Sequence, residues 1–179
     1  MSEKDTKYLI GMNENVVVRN EVSKIATKSL LQIIFCTRTH SQISQFVQEL
    51  RKTYYSTNTD KRIKCVPICS RSVYCINDKI SKLKNIGKIN EKCQEYLDKG
   101  KCEYAGKHII ELKNTIMTSP LDIEEICKTG KLSIHCPYLA TLQCMEEADV
   151  IAVPYQCILH KSTREALGIS LKSLYLFTL

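Results

Sequence analysis

From Leu31 onward, short apolar runs alternate with stretches whose apolar residues recur every three or four positions, the periodicities of buried strands and amphipathic helices. Leu31-Leu-Gln-Ile-Ile-Phe-Cys36 predicts a buried strand, and Ile43, Phe46, Val47 and Leu50 place a helix directly after it. Arg62 to Ile68 predicts a second short strand, with Pro67 near its end. The pattern then weakens. Asn77 to Leu83 and Gln94 to Leu97 read as short helices, and Ser119-Pro120 starts a helix through Ile126 that Lys128-Thr-Gly130 ends. Pro137 opens a helix over Tyr138 to Glu147, and Ala148 to Val153 is a buried-type strand. Pro154 to His160 begins a helix capped by Gly168, and Leu174 to Phe177 begins another strand. Strands separated by helical segments predict an α/β fold with a parallel sheet and crossover helices. Residues 1–30 are polar apart from Val16-Val-Val18 and read as a variable N-terminal segment.

The junction of the first strand and helix carries candidate chemistry. Thr37-Arg38-Thr39-His40-Ser41-Gln42 puts a cation and several hydroxyls where unpaired helix N–H groups and the positive end of the helix dipole favour an anion. Thr39 and Gln42 have capping-box spacing. On this pattern alone the stretch reads equally as an ordinary capped helix. Charge adds weight: the chain carries a net +7, and residues 37–74 hold seven Lys and Arg against two acids. That surplus suits a polyanionic partner as well as it suits a plain solvated face.

Ten cysteines occur in a chain with a polar N-terminus and no apolar run long enough for a signal peptide or membrane span. An intracellular protein is expected, and there a disulfide scaffold is disfavoured, which leaves metal ligation or buried thiols. Cys75, Cys93, Cys102 and Cys136 are spaced C-x17-C-x8-C-x33-C, each in a polar or charged context such as Tyr74-Cys75-Ile-Asn-Asp78. Ten cysteines allow many quartets, so the residues alone leave iron-sulfur, zinc and packing roles open. Cys36, Cys65, Cys144 and Cys157 lie in apolar patterns and read as small core residues.

Cys36 to Gln42 resembles motif Ia of the XPD-like, DEAH-type iron-sulfur DNA helicases, nearest their chromosome-loss (sister-chromatid cohesion) branch. The four cysteines follow the order of that family's cluster insertion: Arg71 four residues before Cys75, Cys93 eighteen further on, Cys102 before Glu-Tyr104, and Cys136 in Cys136-Pro-Tyr138. The resemblance covers about residues 31 to 173. It implies a partial RecA-like motor domain at 31–74 and 137–179, interrupted by a small, mainly helical iron-sulfur insertion at 75–136. It implies DNA-backbone contact by Arg38, Thr39, His40, Ser41, Gln42 and Arg71, and a [4Fe-4S] cluster on Cys75, Cys93, Cys102 and Cys136. Cys102 lacks the family's tandem aromatics, so Cys127, and after it Cys69, are its rivals; His135 is an alternative ligand. Single-stranded or forked DNA is the implied partner, and the nucleus the implied location.

No G-x-x-x-x-G-K-[ST] phosphate loop occurs, and the chain stops where an Asp-Glu-Ala-His magnesium site is expected. ATP and Mg2+ therefore belong to the complete family protein, and the chain is expected to be an internal piece of a 5'-to-3' helicase that does not hydrolyse ATP alone. The alternative is a non-enzymatic zinc-binding interaction module.

Overall fold

The computed structural model describes residues 32–58, 62–106, 108–169 and 174–178. These lie within the unit Leu31–Leu179. The expectations for residues 1–30, and for Leu31 and Lys61, fall outside the described residues.

Strand β1 (Gln32–Thr37) buries Ile34, Cys36 and Thr37 while Ile33 and Phe35 are half-covered, the burial on both faces typical of a parallel sheet. It leads through Arg38 and Thr39 into helix α1 (His40–Arg51). Ile43 and Val47 of α1 turn inward, and Phe46 stacks on Phe35 with ring centroids 3.7 Å apart. A short helix α2 (Tyr54–Thr57) precedes β2 (Cys65–Pro67). Strand β3 (Val150–Pro154) and β4 (Leu174–Thr178) complete a four-stranded sheet in the order β2-β3-β1-β4, every neighbouring pair parallel. Ile34 lies opposite both Ile151 and Leu176. The expected α/β class with a parallel sheet holds.

β2 is shorter than the expected Arg62 to Ile68. Ile63 is diverted to donate its N–H to the Tyr55 carbonyl, and the Lys64 N–H goes to the Asp149 carboxylate. Pro67 has no N–H to give and sits on an edge strand of the described sheet, where proline is tolerated.

Between β2 and β3 the chain is helical: α3 (Arg71–Tyr74), α4 (Asp78–Ser81), α5 (Ile86–Asp98), α6 (Ile109–Thr118), α7 (Ile123–Ser133) and α8 (Pro137–Cys144). Three expectations change here. α5 is far longer than Gln94 to Leu97, because Asn85 caps it by accepting the Lys88 N–H and Ile89 and Cys93 bury one stripe. α6 was not expected, although Ile109, Leu112 and Ile116 carry its buried face at helical spacing. α7 starts at the Asp122 and Glu125 capping box, beyond Pro120, and runs through Gly130 to Ser133. Gly130 does not end the helix but lets another segment approach: a Cβ there would meet the His135 carbonyl and Pro137 Cγ, each at 2.7 Å. Ile134 ends α7 instead, in the left-handed region at φ 58°, which a β-branched residue adopts only under strain.

α8 stops at Cys144 rather than Glu147. The helix expected from Pro154 is two, α9 (Tyr155–Leu159) and α10 (Lys161–Ala166), because His160 turns extended between them. Gly168 does follow α10 at φ 69°, and Ile169 donates its N–H to the Arg164 carbonyl, closing the helix end.

Candidate nucleic-acid and metal site

Two groups of residues sit at the carboxyl edge of the sheet, where open parallel sheets bind ligands. The first is the turn after β1. Thr39 caps α1: its hydroxyl accepts the Gln42 N–H at 3.3 Å, and the Gln42 side-chain oxygen accepts the Arg38 and Thr39 N–H groups, both at 3.1 Å. The expected capping box is formed. Thr37 donates its hydroxyl to the Thr39 carbonyl at 2.9 Å, fixing the turn from the strand side. Gln42 is thus occupied by the cap, while the Arg38, His40 and Ser41 side chains are exposed. The N–H groups of His40 and Ser41 lie in the first turn, where no helical partner exists for them.

The second group follows β2. Arg71 opens α3, and Cys75 caps its end by donating its N–H to the Arg71 carbonyl. Cys75, Cys93, Cys102 and Cys136 line one cavity together with Arg71, Asn77, Tyr104 and Tyr138. Each reaches it by a different route. Cys93 comes from the inner face of α5. Cys102 follows the turn at Gly100, whose φ of 60° suits glycine, and that turn is closed by the Lys101 N–H donating to the Tyr96 carbonyl. Cys136 donates its N–H to the Tyr104 carbonyl at 2.7 Å and is the N-cap of α8.

The remaining six cysteines do not line this cavity. Cys127, the rival to Cys102, instead points its thiol at the Val73 carbonyl, 3.7 Å away. Cys69 is buried in the main core with Cys36 and Cys144, while Cys65 is buried in a second cluster with Val47 and Val150. His135 is buried, yet it too lies outside the cavity lining.

The electrostatics of the cavity oppose bare thiolates. Burial pushes the Cys136 thiol up to about 12, with the N–H groups of Leu139 and Tyr138 pulling weakly the other way. Burial also raises Cys75 and Cys93, and the Arg71 guanidinium beside Cys93 opposes that rise. Arg71 is held 4.4 Å over the Tyr138 ring, and its Nε is buried with no hydrogen-bond partner among the described residues. A cluster of bound cations is the kind of group that would turn such thiols into stable ligands. Among the described residues no three Cys, His, Asp or Glu side chains stand close enough to hold a single metal ion. The four sulfurs surround a common space without converging on one point.

Asn77 was visible in the sequence only as a polar neighbour of Cys75. The signal that could have singled it out is its place two residues after a candidate ligand and directly before a helix, the position of a side chain that must cap.

The DEAD_2 family profile matches residues 35–175 of this sequence. The chain belongs to the DEAD_2 family. It is 33% identical to the ATP-dependent DNA helicase CHL1 of Debaryomyces hansenii, over 95% of this chain and 23% of that protein. It is 36% identical to CHL1 of Vanderwaltozyma polyspora, over 80% of this chain and 18% of that protein. It is 31% identical to the ATP-dependent DNA helicase DDX11 of Danio rerio, over 79% of this chain and 18% of that protein. The chain thus spans less than a quarter of the length of these relatives. The expected resemblance to the XPD-like iron-sulfur helicases and their chromosome-loss branch holds. A solved structure titled XPD_Helicase aligns at a TM-score of 0.48 and 18% identity, over 83% of this chain and 24% of that one, a likeness too slight to build on. No described helix is long and apolar enough to cross a membrane.

Proposed function

We propose that this chain forms part of the first, RecA-like motor domain of an ATP-dependent, 5'-to-3' DNA helicase. Its share of the work is to hold single-stranded DNA by its backbone and to carry a [4Fe-4S] cluster on Cys75, Cys93, Cys102 and Cys136. The observation that carries the reading is the gathering of those four thiols, distant in sequence, around one cavity that the other six avoid. A cubane spreads its four irons over the corners of a cube, so its ligands stand farther apart than those of one ion. That supports a cluster over a single zinc, whose ligands crowd one centre at about 2.3 Å. Bound there, the cluster would cross-link α3, α5, the Cys102 turn and α8.

The turn after β1 supplies the DNA contact. Arg38 and the Ser41 hydroxyl are free to meet phosphate oxygens, His40 donates a hydrogen bond, and the Thr39 and Gln42 side chains hold the turn in shape. Arg71 opens the segment after β2, two strands away across the same edge, roughly 10 Å at ordinary strand spacing. One bound strand can therefore pass both. Phosphate contact reads no sequence, so binding is non-specific and falls by about 0.7 log units per tenfold salt for each phosphate neutralised. Forked DNA as substrate, DNA repair and a nuclear location follow from the same reading. ATP and Mg2+ act in the whole protein, since no phosphate loop occurs in these residues.

Anaerobic purification tests the reading directly. A brown protein with about four irons per chain is expected. A colourless protein with stoichiometric zinc would replace it with a zinc-binding interaction module. Cys102→Ser should lose the iron and Cys127→Ser should keep it; the reverse pattern would exchange the third ligand.

A further inference from the structure

Asn77 is a buried polar side chain, 5% exposed, set between two of the cavity's cysteines. Its amide has a defined orientation. The side-chain oxygen accepts the Lys79 N–H at 3.0 Å as the N-cap of α4, which turns the amide nitrogen the other way. That nitrogen lies 3.9 Å from the Cys102 sulfur, within the longer reach of a hydrogen bond to sulfur. An amide flip would put oxygen against both a carbonyl-like lone pair at sulfur and a backbone donor left unmet, so the cap dictates which atom faces the thiol. Lys79, whose N–H orients the amide, follows it by only two residues, so the contact is built into the first turn after Cys75.

We propose that Asn77 is a positioning residue that tunes the cluster: its side-chain N–H donates to the Cys102 thiolate, holding that ligand in place and raising the cluster's reduction potential. This rests on the iron-sulfur reading above. An N–H directed at a ligand sulfur draws negative charge from it and so favours the form of the cluster that carries one more electron. The electron comes from an added reductant such as dithionite, passes to the cluster, and no bond is made or broken. The same donor strengthens Cys102, which has no helix to fix it: it sits in the loop after α5, whereas Cys93 lies on a helix and Cys136 caps one.

The test uses the full 179-residue chain, purified anaerobically, with iron content, midpoint potential and iron release to a chelator as readouts. Asn77→Ser keeps an oxygen to cap Lys79 but is too short to reach the sulfur. Asn77→Leu fills the space, excludes water and removes both contacts. In each variant the ratio of reduced to oxidised cluster at a fixed ambient potential should fall at least threefold, and iron should leave at least threefold faster. Parent-like potential and release in Asn77→Ser would overturn the proposal, and so would a shift confined to Asn77→Leu, which would trace to the lost cap. Iron bound normally by the parent with no change in Asn77→Ser refutes the tuning role alone. A parent chain that binds no iron refutes the cluster reading and this proposal with it.

Discussion

The sheet and the α4–α5 segment are built on opposite economies of burial. Around the sheet, 22 buried residues from β1, β2, β3 and helices α1, α3, α6, α7, α8 and α9 and the segment after α10 form one continuous core. Around α4 and α5 the buried core is Ile80, Ile89 and Cys93, with Cys75, Leu83, Tyr96 and Leu97 partly covered against it. One of the three is itself a proposed ligand. A core that small does not offset the conformational entropy of ordering its own chain, so the segment must draw stability from something else, whereas the sheet does not. The difference separates what folds by apolar burial from what is stapled.

The strongest way to break that comparison is to remove the staple. Cys93→Ser, or chelation of iron from the parent chain, should release α4 and α5 from protection against amide exchange. The local loss is expected to be on the order of 4 kcal/mol or more, the scale on which structural metals contribute to folding. The amides of β1 and β3 should keep theirs. Ile34→Ala is the converse. It empties a fully buried site between β3 and β4 and should cost about 3 kcal/mol in global stability while leaving iron content unchanged. Should the iron-free chain lose the sheet as cooperatively as it loses α5, the two regions are one folding unit and the contrast is wrong.

Gly130→Ala sharpens the boundary between them. The added methyl must displace the His135 carbonyl and the Pro137 ring, both at 2.7 Å, and Cys136 lies between those residues. A destabilisation of about 1–3 kcal/mol is expected from overpacking. More telling is the ligand: iron release should quicken, although Gly130 does not line the cavity. Unchanged iron release alongside lowered stability would show that Cys136 is held independently of α7.

These two regions also differ in how much of them could be read in advance. The sheet, α1 and its capping box follow from period and from Thr39 and Gln42, because burial on a sheet forces apolar runs and a helix start needs a specific side-chain pair. The helical stretch was read poorly for a physical reason. α6 and α5 bury narrow stripes in a sequence that is otherwise polar, and Gly130 looked like a helix stop because close packing of His135 and Pro137 is not visible in a linear pattern. The four cysteines were chosen by resemblance rather than by local chemistry. Asn77 escaped notice altogether, since its partner Cys102 is 25 residues away.

A smaller effect probes the strut between the regions. Arg51, in the last turn of α1, donates to both oxygens of Glu125 on α7 and to the Pro120 carbonyl. Its hydrogen bond holds the Glu125 carboxyl below its ordinary value, partly offset by burial. The folded-state pKa is depressed, so the contribution is complete above the unfolded value of 4.5 and is lost as pH falls through the lower folded value. Both side chains are partly exposed, at 30% and 41%, which limits the pair. Arg51→Ala should cost about 1.5 kcal/mol at neutral pH and less in acid. Denaturant titrations at pH 7 and pH 3 would measure the difference, and an equal cost at both would place the loss in packing rather than in charge.

The smallest change addresses the turn after β1, where capping and phosphate contact share the same residues. Thr39→Ala removes the acceptor for the Gln42 N–H and should cost about 0.5–1 kcal/mol. Thr39→Ser keeps it and should be nearly neutral in stability. Arg38→Ala should leave stability alone, since its side chain is exposed, and should weaken binding to single-stranded DNA with a salt slope shallower by about 0.7. If Thr39 acts through the cap, Thr39→Ala lowers stability and affinity together and leaves the salt slope as it was, because every phosphate contact survives on a looser turn. A slope that shallows in Thr39→Ser as it does in Arg38→Ala would instead make the Thr39 side chain a direct phosphate ligand, and the cap a by-product of its position.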